Sequence, residues 1–267
     1  MRTALSVAGS DSCGGAGIQA DLKAFSAHGV YGMSVITAVT AQNTLGVLAV
    51  QDITPEVIEQ QLDAIFVDIP VDALKIGMVS RIETIQSIAM RLIKHGATNI
   101  VIDPVMISKS GYALLQPTAM EALVKVLLPL AHIVTPNIPE AELITGMSIT
   151  SIADMERAAV MISQYGPRHV LVKGGHLDTD AVDVLFDGTC FRHFSSPRIY
   201  TTNTHGTGCT LSAAIAANLA NRLPIIEAVQ RAKQYITTAI EHSFRIGKGV
   251  GPVHHFYDLY QKAGLKV

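Results

Sequence analysis

Cysteine is scarce in this sequence. Three thiols, Cys13, Cys190 and Cys209, occur in 267 residues; their odd number and the lack of CxxC spacing suggest neither a disulfide framework nor a structural zinc site. An excess of basic residues is also missing. Twenty Lys and Arg against 22 Asp and Glu leave a net charge of −2, which argues against the basic face that a phosphate backbone needs, so no nucleic-acid partner is expected. No apolar run approaches the roughly 18 residues of a membrane span, and no membrane partner is expected. The N-terminal stretch "MRTALSVAGSDS" carries one arginine and a short apolar run that stops at Gly9, unlike the long apolar segment of a signal peptide. A cytoplasmic, reducing location is the expectation.

What is present is apolar sequence in strand-length pieces. Hydrophobic residues make up 49% of the chain, enough for a substantial core. Runs rich in Val, Ile and Leu recur at "TALSVA", "SVITAVTA", "VDALKIGM", "NIVIDPV", "AHIVTP" and "HVLVKGG". Between most of them lie stretches with apolar residues at helical spacing, over 18–28, 55–68, 82–95 and 152–165. Strand and helix in alternation predict a mostly parallel sheet covered by helices on both faces, an α/β fold. The segment "VDVLFDGTCFRHF" reads instead as a small β-hairpin turning at Asp187-Gly188. Helices are expected again over 207–222 and 225–244. No repeat or linker interrupts the chain, so residues 1–267 are expected to form a single domain.

In such sheets ligands bind at the carboxyl ends of the strands. Gly9-Ser10-Asp11, Gln42-Asn43, Met78, Asp103, Asn137 and Lys173-Gly174-Gly175 all fall at or near those ends, and their convergence predicts one site. The loop "AGSDSCGGAG" fails the P-loop pattern, because Gly15 and Ala16 stand where Lys and Ser/Thr belong. It half matches a dinucleotide fingerprint through Gly15, Gly17 and Ala20, but no carboxylate ends the second strand. An NAD-dependent oxidoreductase and a non-catalytic binding module therefore stay as minor alternatives. Asp21 reads either as a polar ligand contact or as a solvated first-turn acid. Asn137 and Glu140 read as a capping box or as a site in which Glu140 orders magnesium-bound water near nucleotide phosphates. Lys173 and Lys248 could each meet a phosphate or lie in solvent, and His254 and His255 read as structural or surface residues. In "NTHGTGCTLSAA", Gly206 and Gly208 allow a turn that aims a helix N-terminus at an anion, with Cys209 at the helix mouth.

The stretches "AGSDSCGGAGIQADLKAFSAHGVYGMSVITAVTAQNT", "IGMV", "DPVM", "TPNIPEAELI", "VLVKGGH", "NTHGTGCTLSAAIAA" and "GKGVGPVHHF" resemble the hydroxymethylpyrimidine/phosphomethylpyrimidine kinases of thiamine biosynthesis, in the ribokinase superfamily. The resemblance runs in order over nearly the whole chain. It implies a ribokinase-like fold and transfer of the γ-phosphoryl group of ATP, with Mg²⁺, to the pyrimidine alcohol and then to its monophosphate; a monovalent cation is left open. It also implies a homodimer. The nucleotide side would comprise Asp103, Asn137, Glu140 and Lys173, with an anion hole at His205, Gly206, Thr207 and Gly208. Glu140 would meet the metal through water. The pyrimidine side would comprise Gly9, Asp21, Gln42, Met78 and Val105.

Pyridoxal kinases of the same superfamily are similar, and Gln42 weighs against them. Its amide presents a donor beside an acceptor, which pairs with the amino group and ring nitrogen of an aminopyrimidine, the logic by which Gln reads adenine. The resemblance places Cys209 where many sugar kinases of the superfamily carry an aspartate base. A helix N-terminus lowers a thiol's pKa, so the sequence predicts a thiolate accessible near neutrality at Cys209.

Overall fold

The computed structural model describes residues 1–106, 114–116, 118–175 and 180–265. In chain order the elements are β1 (Thr3–Asp11), α1 (Gly17–Ala27), β2 (Tyr31–Asn43), β3 (Gly46–Asp52), α2 (Pro55–Asp68), β4 (Ala73–Ile76), α3 (Ile82–Lys94) and β5 (Ile100–Ile102). There follow α4 (Ala119–Ala122), which runs on through a π turn and a 3₁₀ turn to Leu130, then β6 (Ile133–Val134), α5 (Ile138–Thr145), α6 (Ile152–Ser163) and β7 (His169–Val172). The last are β8 (Ala181–Phe186), β9 (Phe191–Ser196), α7 (Thr207–Ala220), α8 (Ile225–Glu241) and α9 (Tyr257–Lys262).

One nine-stranded sheet has the order β3-β2-β1-β4-β5-β6-β7-β8-β9. The pairs from β2 to β7 are parallel, while β2–β3, β7–β8 and β8–β9 are antiparallel. The chain leaves β1 toward β2 on one side and later returns as β4 on the other, so the direction of winding reverses at β1. Right-handed crossovers then put α1 on one face and α2 and α3 on the opposite one, and a crevice opens at the strand ends where the order reverses.

Two apolar cores sandwich the sheet. Leu5, Val7, Leu74, Ile76, Ile100, Ile102, Val170 and Val172 belong to the core on the α2, α3 and α6 side. Their alternates, Ala4, Ala73, Val101 and Leu171, belong to the core built on α1, α7 and α8. Side chains alternate with a period of two along a strand. Continuing that alternation places Ser6, Lys75, Asp103 and Lys173 on the same face as the second set, beneath α1 and α7. The polar layer of the site therefore follows from strand register.

Two sequence expectations need correction. β3 was not anticipated; "GVLAVQD" pairs only with β2 at the sheet edge, and its Leu48 is 76% exposed, so no buried alternation marks it. The hairpin is present, but its turn spans four residues, with Asp187 N–H donating to Cys190 O at 3.1 Å and the Asp187 side chain accepting from Thr189 and Cys190 N–H. His176, in the "KGGH" motif, lies outside the described residues. Helix bounds otherwise match the sequence spacing to within three residues, and all of Thr210 to Ala220 is buried.

Two buried histidines give the fold an acid limit. Burial lowers His169 to about 4, helped by the charge of His132, whose ring centre lies 5.1 Å away; burial likewise lowers His255 to about 3. His169 Nδ1 has no hydrogen-bond partner among the described residues, and His255 Nε2 meets Thr210 Oγ1 at 3.0 Å. Below about pH 6.5 the unfolded chain binds these protons and the folded chain does not, so stability is full above that pH and falls as pH drops toward 4 and then 3. The expected outcome is a melting temperature that declines steadily from pH 6.5 to 4. His169→Phe should flatten that decline, as read by thermal unfolding across the series.

Candidate active site

A cavity of about 810 Å³ opens at the carboxyl ends of β1, β2, β4, β5, β6 and β7. Gly9, Gln42, Met78, Asp103, Val105, Asn137, Glu140, Lys173 and the loop from His205 to Cys209 all border it. The strand-end set thus converges as expected.

At the end of β5, Asp103 N–H donates to Ile76 O at 2.9 Å, and its carboxylate accepts from Lys173 Nζ at 2.9 Å, Thr135 Oγ1 at 3.3 Å and Ser212 Oγ at 3.3 Å. Burial pushes Asp103 up, yet Lys173 and Lys75 outweigh it and hold the carboxyl below its usual range; Asp103 and Glu140 in turn raise Lys173 against its own burial. Lys173 extends β7 by pairing with Asn137, its N–H donating to Pro136 O at 2.8 Å. Asn137 caps α5: Oδ1 accepts from Glu140 N–H at 2.9 Å, and Glu140 Oε2 accepts from Asn137 N–H at 2.8 Å. The capping-box reading holds, and the same two side chains still face the cavity.

The loop before α7 supplies backbone donors. Gly206 sits at φ 77°, and a Cβ built there would lie 1.7 Å from Gly15 O. No other residue type fits. Thr207 N–H is spent on Thr204 O and Thr210 N–H on Gly206 O. The N–H groups of Gly208 and Cys209 have no backbone acceptor among the described residues, the open state of a helix start. A Cβ on Gly208 would come within 3.3 Å of Lys173 Nζ and 3.5 Å of Asp103 Oδ2, so the helix mouth, the lysine and the carboxylate face one point. Such an arrangement can hold and neutralise an anion.

On the opposite wall, Gln42 is clamped through its backbone: its N–H donates to Ser12 Oγ at 2.8 Å and its carbonyl accepts from that hydroxyl at 2.7 Å. Thr40 Oγ1 donates to Gln42 Oε1 at 3.3 Å, and Gln42 Nε2 stands 3.4 Å from His205 Nε2. That histidine nitrogen donates to Asp11 Oδ2 at 2.8 Å, so it offers no lone pair to the amide. The Gln42 NH₂ therefore stays open toward the cavity.

Comparisons with known proteins give the family. Residues 11–254 match the family described as Phosphomethylpyrimidine kinase. The chain belongs to that family. It is 58% identical to the hydroxymethylpyrimidine/phosphomethylpyrimidine kinase of Rhizobium meliloti, over 95% of this chain and 97% of the relative. Among solved structures it is similar to the phosphomethylpyrimidine kinase of Clostridium difficile 630, with 55% identity, a TM-score of 0.81 and coverage of 90% of this chain and 100% of the other. It is also similar to an ADP complex of Bacillus subtilis pyridoxal kinase, with 41% identity, a TM-score of 0.89 and coverage of 96% and 98%. The fold is that of these kinases, and the chain is a phosphotransferase of the phosphomethylpyrimidine kinase family.

Within this family member, three expectations change. Asp21 does not border the cavity: it is fully buried on α1, where both oxygens accept from Lys75 Nζ, at 2.9 and 3.0 Å, and Oδ2 accepts from Ser6 Oγ. Neither the ligand contact nor the solvated acid is what α1 presents, because its inward face meets Lys75, a cation on a buried strand. His205 is not part of the donor cluster at the helix mouth; its ring turns toward Asp11 and Gln42. Cys209 is not primed as a thiolate. Burial, with the charges of Asp103 and Asp21, pushes the thiol up to about 11, and Lys75 and the Gly17 N–H offset only part of it.

Sequence reasoning missed Lys75, Ser212 and the pair Asp183–Lys233. Lys233 Nζ on α8 donates to Asp183 Oδ2 at 2.8 Å, and Asp183 Oδ1 accepts from Gly174 N–H at 2.9 Å, which fixes the backbone beside Lys173. A lysine inside the wholly buried strand "ALKI" was the readable signal, since a buried charge needs a partner. His254 and His255 prove buried, and Lys248 is exposed.

With Cys209 protonated at neutral pH, its loss should cost little. Phosphoryl transfer through a loose transition state depends more on charge stabilisation than on the base. Cys209→Ala is expected to slow turnover about 10- to 100-fold, at or below the low end of acid–base losses. A loss beyond roughly 10⁴-fold, with substrate binding intact by calorimetry, would contradict that ranking.

Proposed function

We propose that the protein phosphorylates 4-amino-5-hydroxymethyl-2-methylpyrimidine to its monophosphate and then to its diphosphate, using ATP, in thiamine biosynthesis. One observation carries this reading: the ligand-facing amide of Gln42 and the donor cluster at the mouth of α7 open onto the same cavity. Gln42 reads the aminopyrimidine edge, and Gly9, Met78 and Val105 enclose the ring. The pyrimidine oxygen attacks the γ-phosphorus, the bond to the β-phosphoryl oxygen breaks, and ADP leaves. The Gly208 and Cys209 N–H groups left open by the turn at Gly206, with Lys173, face the charge that develops on the transferred phosphoryl oxygens, and Cys209 keeps its S–H nearby; Thr207 spends both its N–H and its hydroxyl on Thr204 O.

Asn137, Glu140 and Asp103 lie on the nucleotide side in this reading. The carboxylates of Glu140 and Asp103 border one cavity, and hard oxygen donors suit Mg²⁺; Glu140 would hold it through water, and the ion would neutralise phosphate charge. The reading also takes residues 1–267 as one working unit, a cytosolic homodimer. Exposed Leu45 and Leu48 on the β2–β3 edge support self-association.

Phosphorus NMR with mass spectrometry on protein, Mg²⁺, ATP and the pyrimidine alcohol, with pyridoxal in a parallel tube, tests the function. Sequential mono- and diphosphate of the pyrimidine is expected; phosphorylation of pyridoxal alone would move the activity to vitamin B6. Gln42→Leu should lower kcat/KM for the pyrimidine by about 10- to 100-fold, the cost of stranding one or two ligand hydrogen-bonding groups. An equal fall for pyridoxal and the pyrimidine would refute the edge-reading role.

A further inference from the structure

One cluster at the cavity rim takes no part in this chemistry. Asp11, Cys13 and His205 bring a carboxylate oxygen, a thiol sulfur and an imidazole nitrogen within 4.8 Å of one another. Their sequence spacing hides this, because His205 arrives from the loop before α7 while Asp11 ends β1 and Cys13 sits on the loop after it. We propose that these three side chains form a binding site for a thiophilic divalent cation, Zn²⁺, whose occupancy competes with the pyrimidine substrate.

The donor set and its rigidity support the site. Asp11 is 3% and His205 8% exposed, and Cys13 is half-buried. Asp11 is held by N–H groups of its own loop: Cys13 N–H donates to Oδ1 at 2.8 Å, and Gly15 and Ala16 N–H donate to Oδ2 at 3.0 and 2.8 Å. Lys23 Nζ ties the same loop through Gly14 O, and His205 N–H donates to Gly251 O at 3.0 Å. The ligands are therefore ordered before any ion arrives, which reduces the entropic cost of binding. Zinc bond lengths of about 2.0 Å to N and O and about 2.3 Å to S set tetrahedral ligand separations of about 3.3–3.7 Å. The three ligand atoms, now within 4.8 Å of one another, settle to those separations with an opening of the present 2.8 Å contact between His205 and Asp11.

The chemistry balances without a co-reactant. The Cys13 thiol gives its proton to solvent and binds as thiolate; His205 gives up the Nε2 proton that now bonds Asp11, takes one on Nδ1 and binds through Nε2; Asp11 binds as carboxylate. Two anionic ligands neutralise the dication. Sulfur and imidazole favour zinc over magnesium, which prefers octahedral oxygen and water, so the Mg²⁺ of the kinase reaction does not compete here. Gln42 Nε2 is 3.4 Å from the same histidine nitrogen, so an ion on that nitrogen would lie beside the amide assigned to the pyrimidine. The competition with pyrimidine rests on the proposed kinase reading, whereas the metal site itself does not.

The test uses the full-length protein with Co²⁺ alone as a spectroscopic probe and Zn²⁺ alone in calorimetry. One equivalent of Co²⁺ should give a thiolate-to-cobalt charge-transfer band, and zinc should displace it. Cys13→Ser should abolish the band and weaken zinc binding more than about 100-fold, beyond the loss typical of a residue that only supports a ligand. Cys190→Ser and Cys209→Ala should retain the band. Without zinc, Cys13→Ser should keep the kcat/KM of the parent, and with zinc it should be spared the rise in pyrimidine KM. Absence of the band in the parent protein, or its survival in Cys13→Ser, overturns the site. A band without any rise in KM overturns the competition with substrate.

Discussion

Replacing Lys75 by methionine is expected to lower the unfolding free energy by about 3–5 kcal/mol, the cost of leaving a buried charge without its partner. Lys75 and Asp21 have 0% exposed side chains, and the lysine meets both carboxylate oxygens. The Asp21 charge outweighs burial and holds Lys75 well above the usual lysine range, while burial raises the Asp21 carboxyl against the pull of Lys75 and Ser6; the two-oxygen contact with Lys75 and the Ser6 hydroxyl are the partners that keep the carboxylate charged. A loss of that size in a chain of this length lowers the melting temperature by on the order of 10 °C. The double variant Lys75→Met/Asp21→Leu removes both charges and should recover most of the stability, because apolar residues of similar volume often replace a buried pair at little cost. Urea unfolding of the three proteins decides it. A single-variant loss under about 1 kcal/mol would mean that water or a shifted proton already compensates the pair.

Gly206→Ala is expected to lower kcat/KM by at least about 10³-fold with little change in helix content. A methyl group at this position would meet Gly15 O at 1.7 Å, and the αL backbone costs an alanine roughly another 1–2 kcal/mol. The loop must move away from Gly15, and the donors of Gly208 and Cys209 move with it. Loss of one preorganised donor to a developing oxyanion already costs about 10²–10³-fold. Steady-state kinetics beside circular dichroism provide the check. Retention of more than a tenth of the activity would show that the loop does not hold the reacting phosphoryl group.

Much of this protein was legible in one dimension. Alternating strands and helices predicted the α/β sheet because burial on both sheet faces demands continuous apolar strands, and the crossover helices demand a 3.6-residue period. The strand-end rule then gathered Gly9, Gln42, Asp103, Asn137 and Lys173 around a single crevice. The capping box at Asn137 and Glu140 was readable because both its partners lie within one helical turn. Gly206 was readable because only glycine tolerates such a turn.

What sequence could not show were interactions between distant segments. Asp21 looked like a ligand contact until β4 placed Lys75 opposite it, 54 positions along the chain. His205 looked like part of the anion loop until its ring met Asp11, 194 positions away. Cys209 looked acidic from its place at a helix start, which is a local property. Its actual environment is set by burial and by Asp103 and Asp21, carried in on β5 and α1. The sequence by itself determined the alternation of strands and helices, the glycine turn before α7 and the set of side chains at the strand ends, since these depend on local periodicity and backbone sterics. Only the tertiary structure decided which charges pair and which proton each group holds, because Coulomb energies and desolvation depend on distances through space rather than along the chain.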